Sequence, residues 1–385
     1  ARVTGVQTCA LPISFVVPHQ AVKPNDRLTG PFRCGQTVRK RREVFIMKKR
    51  LLAMLMTGAM VASLAACGGG STTGGDTQTD SNKGGDTAST GSCSVDVILK
   101  TTASEYWSYV KAGAEAYAKD NSDVKVEVKG ATSETAYDEQ QNMIETDLNS
   151  GAYDAFVIAP LQADLVKTLI SGKTDPIIAV DTNIDAPEVL SFVGTGNEDA
   201  AALGGKEAVK AAQDAGWDKV QAIAISGVQG DGTAMARLTG YEKGITEAGG
   251  EFLKDEIQYA DAVADKAATS MEAIMQNHPE GVAIIVCNND DMAMAAARAA
   301  KGNAAYAKTI FVGFDGIQSA CNAILAGEET MSVAQEAYDM GYKAVEAAVK
   351  AVNGETLDKF IDSGCSVVTK DNAQERLDTL KGYIG

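Results

Sequence analysis

Two α/β lobes, each a doubly wound parallel sheet, are predicted by three features of the sequence. Short apolar runs alternate with helical stretches; that alternation begins afresh near residue 220; and one early run is continuously apolar while its neighbour alternates with charge. Strand, helix, strand, helix order makes successive strands parallel, because each helix carries the chain back across a sheet face. The 385 residues suffice for two ordinary domains.

The first series predicts strands at 95–100, 124–129, 155–159 and 177–181, with helices over 106–119, 136–149 and 163–171. Val124, Val126 and Val128 alternate with Lys125, Glu127 and Lys129, the pattern of an edge strand. Ala155, Phe156, Val157 and Ile158 form an unbroken apolar run, as a strand covered on both faces requires. A second series follows: strand 220–226, helix 233–248, strand 256–259, helix 264–277, strand 282–287, a helix from Asp291 and strand 309–314. Each lobe then presents the carboxyl ends of its strands to a shared crevice, where doubly wound sheets bind ligands.

Upstream of these lobes the chain carries a different kind of information. From Met47 the sequence reads Lys48, Lys49, Arg50, an uncharged run over 51–66, and then Cys67. A basic start, a short apolar stretch and small residues before the cut are the parts of a secretory signal, and the run is too short for a comfortable membrane span. Residues 1–46 have no place in such a signal. VTGVQTCALPI (3–13) resembles the conceptual translation of a sequencing-library adaptor, so 1–46 is expected to be artefactual or untranslated upstream sequence, with the true start at Met47. Residues 47–66 are then the signal peptide, and 67–93 a Gly, Ser and Thr-rich tether with too few apolar groups to offset its chain entropy.

Composition excludes several classes. The formal charge is −16, and residues 1–50 hold eleven Lys and Arg against Asp26 and Glu43, so without them the charge becomes −25. Phosphate backbones are repelled by such a surface, and no nucleic-acid partner is expected. The seven cysteines form no CxxC pair, and His19 and His278 lie apart from any metal-like spacing, so no metal site and no cofactor are expected. Cys287 and Cys321 sit in apolar surroundings and read as buried thiols.

Several strand-end segments together carry a resemblance. VILKTTASEYW (97–107), FVIAPLQADLV (156–166), AVDTNID, RLTGYEKG, NNDDMAM, VGFDG and SVAQ resemble, in order and spacing, the ribose and allose-binding proteins that serve sugar ABC transporters. Leu64-Ala65-Ala66-Cys67 resembles the lipobox of bacterial lipoproteins, which implies that Cys67 is diacylated and anchors the chain to the outer face of the cytoplasmic membrane. The resemblance implies a type I periplasmic binding protein-like fold, two lobes joined by a multi-crossover hinge, with 94–195 plus about 337–366 in one lobe and 196–336 plus about 367–385 in the other. It places the crossovers near 193–196, 335–337 and 365–368, and implies a monomer that takes a small sugar and docks on permease subunits.

Eight positions match the family's ligand contacts. Trp107, with Tyr106 beside it, corresponds to the aromatic pair that stacks on the sugar ring; both also suit the core side of a helix. Lys100 would donate to a hydroxyl. Asp181 and Asp315 would accept from hydroxyl pairs, as ionised carboxylates do well, or could serve as turn residues. Arg237 offers a planar fork to adjacent hydroxyls. Asn289 and Gln335 can donate and accept at once, which suits polyols, although Asn289 also fits a helix cap. Two departures stand out: Thr182 where the ribose pattern has arginine, and Val263 where relatives often have a second aromatic.

An enzyme on this fold is disfavoured, since the sequence shows no nucleophile elbow, no metal cluster and no GxGxxG after the first strand. A repressor with the same core would need a basic helix-turn-helix in place of the export signal. Two further readings use the same site: a sensing subunit for a chemoreceptor or sensor kinase, and a binder of another polyol.

Overall fold

The computed structural model describes residues 92–384. Residues 1–46, the signal expected over 47–66, Cys67 and the expected tether up to residue 91 lie outside the described residues. In chain order the elements are β1 (Cys93–Thr101), α1 (Glu105–Asp120), β2 (Val124–Ala131), α2 (Tyr137–Leu148), β3 (Ala155–Ile158), α3 (Ala163–Ile170), β4 (Ile177–Val180), β5 (Val189–Gly194) and α4 (Asn197–Asp214). Then come β6 (Gln221–Ser226), α5 (Gly232–Glu247), β7 (Glu251–Phe252), β8 (Gln258–Tyr259), α6 (Ala264–Asn277), β9 (Ile284–Cys287), α7 (Asp290–Ala300) and β10 (Ile310–Asp315). The chain finishes with α8 (Gln318–Ala326), β11 (Met331–Gln335), α9 (Ala337–Val352), β12 (Phe360–Asp362), β13 (Cys365–Val368) and α10 (Ala373–Ile384).

These strands form two sheets, ordered β12, β5, β4, β3, β1, β2 and β13, β11, β10, β9, β6, β7, with β8 also paired to β6. The first is parallel throughout, and the second is parallel except for β11 against β13. In each, strand order reverses beside the first strand of the lobe, between β1 and β3 and between β6 and β9. Such reversals open a crevice at the strands' carboxyl ends. The doubly wound α/β class read from the sequence is therefore observed.

Side-chain alternation builds the core. On β1, β3 and β4, Val97, Leu99, Val157, Ile178 and Val180 join the cluster under α1 and α9, while Ile98, Phe156, Ile158, Ile177 and Ala179 join a second cluster under α2 and α3. A strand covered by helices on both faces must be apolar on both, and the period of two distributes its residues. β2 lies at the sheet edge and β3 in its interior, as their patterns predict. Helices α1 and α9 cross so closely that a Cβ on Gly113 would overlap the carbonyl oxygen of Tyr338, and one on Gly341 that of Val110. Only glycine permits backbone contact of this kind.

Local departures from the sequence reading have simple causes. Cys93, expected in the tether, opens β1 because its register continues to Val124. The strand expected over 256–259 is a 3₁₀ turn at Lys254–Glu256 followed by two paired residues. Lys129, one of the charged residues that alternate along the edge strand β2, turns toward the fully buried Asp96, 3.1 Å away, and Asp147, 2.9 Å away. Burial pushes the Asp96 carboxyl up to about 7 against the pull of Lys129. Chain crossings between the sheets fall after β5, after β11 and at Ser363 and Gly364, the last just ahead of the 365–368 expected.

Candidate functional site

The carboxyl ends of β1, β4, β10 and β11 converge on a cavity of about 380 Å³. All eight residues singled out in the sequence line it: Lys100, Tyr106, Trp107, Asp181, Arg237, Asn289, Asp315 and Gln335. Seven come from strand ends or from the helix turn that immediately follows one. Arg237 reaches in from α5.

Asp181 follows β4 with φ 63°, and Asp315 closes β10 with φ 123°. Backbones held in these regions are costly for residues other than glycine and persist where the surroundings enforce them. At Asp181 the enforcing contacts are visible: its Oδ1 accepts from the Tyr106 hydroxyl at 2.8 Å and its Oδ2 from the Thr182 hydroxyl at 2.8 Å. Lys100 Nζ stands 3.9 Å from the same carboxylate. Burial would lower the Lys100 ammonium's pKa, but the fields of Asp181, Asp231 and Glu134 outweigh it and hold it raised.

On the opposite wall Arg237 is clamped. Its Nε donates to Asn197 Oδ1 at 2.8 Å, one Nη donates to the Asn288 carbonyl at 2.6 Å, and its guanidinium lies 3.8 Å over the Phe314 ring. The other Nη is 3.7 Å from Asp315 Oδ1, which also accepts from Gln335 Nε2 at 2.7 Å. Burial raises the Asp315 carboxyl well above its ordinary range, Arg237 and Gln335 opposing. The result is a donor and acceptor array whose members are fixed before a ligand arrives, as tight recognition of a polyol requires.

Some side chains divide their duties. Asn289 lines the cavity, yet its Oδ1 caps α7 by accepting from Met292 N at 3.0 Å, leaving its amide protons for a ligand. Trp107 and Tyr106 are almost fully buried and belong both to the core under α1 and to the cavity wall. Trp107 Nε1 donates to Glu134 Oε1 at 2.9 Å. Thr182, in the place of the expected arginine, meets the Thr233 hydroxyl of the second lobe at 3.2 Å and so spans the cleft. Val263 occupies its wall as a small apolar residue.

A family model described as the periplasmic binding protein domain matches residues 95–356. The chain belongs to that family. Among curated relatives of this periplasmic binding protein is the D-allose-binding periplasmic protein of Escherichia coli K12, 29% identical over 265 residues, 66% of this chain and 83% of that protein. Another is a D-ribose/D-allose-binding protein of Pseudomonas aeruginosa, 26% identical over 271 residues, 68% of this chain and 82% of that protein. Among solved structures, a carbohydrate transporter solute binding protein from Agrobacterium radiobacter in complex with D-arabinose superposes with a TM-score of 0.68 at 26% identity, covering 76% of this chain and 99% of that one. The resemblance to ribose and allose-binding proteins is thus borne out.

The periplasmic binding protein's cavity also contains residues that the sequence reading passed over: Glu134, Asp231, Asn288 and Asp291. Glu134 follows β2, and because Leu99 pairs with Gly130 the loops after β1 and β2 emerge side by side. Asp231 caps α5 by accepting from Ala234 N at 2.8 Å. Asn288 precedes Asn289 and Asp291 lies two residues beyond it, so the NNDD run itself held the signal. Among the described residues, no group of three or more His, Cys, Asp or Glu is placed to hold a metal ion.

Proposed function

We propose that this protein is the extracytoplasmic solute-binding component of an ABC importer, capturing a monosaccharide of the ribose or allose kind between its lobes. The observation that carries this reading is the convergence of the eight strand-end and helix residues on one cavity, about 380 Å³, large enough for a single sugar ring. Trp107 supplies an apolar wall, Asp181 and Asp315 accept, Arg237 and Lys100 donate, and Asn289 and Gln335 complete the polar rim. Closure of the two lobes buries the sugar and presents a surface to the permease. The protein acts as a monomer without catalysis or cofactor. Diacylation of Cys67 holds it at the outer face of the membrane.

Isothermal titration of the purified protein with allose, ribose, arabinose, xylose, galactose, fructose and myo-inositol tests this. One-to-one binding that disappears in Asp315→Ala and Trp107→Ala is expected. A folded, ligand-free preparation that binds no sugar or polyol would overturn the reading.

A further inference from the structure

The charge of the cleft does not match a neutral sugar. Six carboxylates line it against two cations, Lys100 and Arg237. Three of the six are matched: Asp181 by Lys100 at 3.9 Å, Asp315 by Arg237 at 3.7 Å, and Asp261 by Lys266, which approaches to 2.6 Å. A fourth, Asp231, is occupied with the N-terminus of α5. That leaves Glu134 on the first lobe and Asp291 on the second, neither of them ion-paired to any described residue. Burial first, then the fields of Glu105 and Glu134, push the Asp291 carboxyl up. The lobes thus bring two like charges toward each other across the cavity.

Two further groups ask for a ligand independently of these acids. Asn288 lines the same cavity, and its Oδ1 is buried without a hydrogen-bond partner, an acceptor that needs a donor. Lys100, 9% exposed, meets Asp181 only at 3.9 Å, beyond hydrogen-bond reach, and so keeps its protons for a ligand oxygen. Unpaired acceptors on both lobes, with a lysine that has no close partner, describe a ligand with both hydroxyls and a strong donor.

Resting on the sugar-capture reading above, we propose that the ligand is a polyol ring bearing a protonated amine, an amino sugar or aminocyclitol, whose ammonium group lies between Glu134 and Asp291. Closing on a neutral ring strips water from two unpaired carboxylates and returns only hydroxyl hydrogen bonds. An ammonium group returns three donors and a compensating charge. Glu134, held by the Trp107 indole N–H at 2.9 Å, is fixed for this role.

The test is titration of the purified protein at pH 7 with glucosamine, galactosamine and an inosamine, each beside its neutral counterpart glucose, galactose or myo-inositol, and with N-acetylglucosamine. At least one amine is expected to bind about tenfold or more tighter than its counterpart, as a charge-assisted contact provides, with N-acetylation removing the advantage. In Glu134→Gln and Asp291→Asn that ratio is expected to fall toward one; being taken within one protein, it is insensitive to a general loss of folding. Neutral rings binding as tightly as their amines would overturn this inference and leave sugar capture standing. Failure of every compound here would also overturn this inference, and the capture reading itself falls only if allose, ribose, arabinose, xylose and fructose fail to bind as well.

Discussion

Replacing Arg237 by lysine separates charge from geometry at the site. The guanidinium makes two hydrogen bonds in different directions, to Asn197 Oδ1 and to the Asn288 carbonyl, while lying on Phe314 and near Asp315. A lysine keeps the charge but, as a single point on a flexible stem, satisfies one of these directions at a time. One hydrogen bond from a charged donor is lost, about 1.5–3 kcal/mol, together with a stacked cation contact of about 0.5–1 kcal/mol. Because both contacts exist without ligand, the loss divides between folding and binding. Arg237→Lys is therefore expected to lower the unfolding free energy by about 1–2 kcal/mol and to weaken ligand binding by about tenfold, where 1.4 kcal/mol is a factor of ten. Urea unfolding and isothermal titration with the tightest ligand of the panel read the two parts. A variant that matches the parent in both would show that only the positive charge matters and that the planar fork does not.

Other outcomes follow from the packing and the buried acids. Gly341→Ala gains about 1 kcal/mol of helix propensity but drives a methyl into the Val110 carbonyl, an overpacking cost of about 1–3 kcal/mol that backbone atoms cannot relieve; a melting temperature lowered by several degrees is expected, and an unchanged or higher one would refute the close crossing. Asp290 is fully buried, accepts from Ser332 Oγ at 2.5 Å and Ile317 N at 3.0 Å, and is pushed up to about 6 chiefly by burial. A carboxyl raised above its unfolded value of 3.8 adds stability that is full below 3.8 and lost as pH rises through about 6. The two-unit shift amounts to about 3 kcal/mol. Denaturant midpoints are accordingly expected to fall between pH 4 and pH 7, and to fall less in Asp290→Asn; equal slopes in both would sink the assignment. Glu105 accepts from Gln318 N at 2.6 Å and from Ser319, fastening α1 to the start of α8, so Glu105→Ala is expected to cost about 1–2 kcal/mol in unfolding free energy.

What the sequence made legible follows from the range of the forces involved. Strand and helix periodicity is local, so β1 to β4 and β9 to β10 could be read from apolar spacing, and with them the strand-end positions of Lys100, Asp181 and Asp315. Resemblance supplied Arg237 and Gln335, whose place in the cavity depends on helix and sheet packing rather than on any nearby pattern. Glu134 was invisible because a polar loop residue looks the same whether it faces solvent or the neighbouring loop after β1. The Lys129 pairing was hidden for a related reason: alternation assigns the residue to a face but does not reveal that Asp96 is buried on that face. The cap duty of Asn289 was stated among its alternatives, and the structure shows cap and cavity served by different atoms of one amide.

The placement of β12 has a consequence for how the chain acquires its shape. Residues 360–362 complete the edge of a sheet whose neighbouring strand, β5, ended at Gly194, and α9 covers the face of that same sheet from residues 337–352. The first lobe, begun at β1, is therefore unfinished until residues 360–362 have been made. Pairings this distant along the chain are slow to form, since a long loop must close before any contact rewards it. Until residues 337–362 arrive the first lobe lacks both its edge strand and a covering helix, so its final packing is the latest event that the connectivity permits.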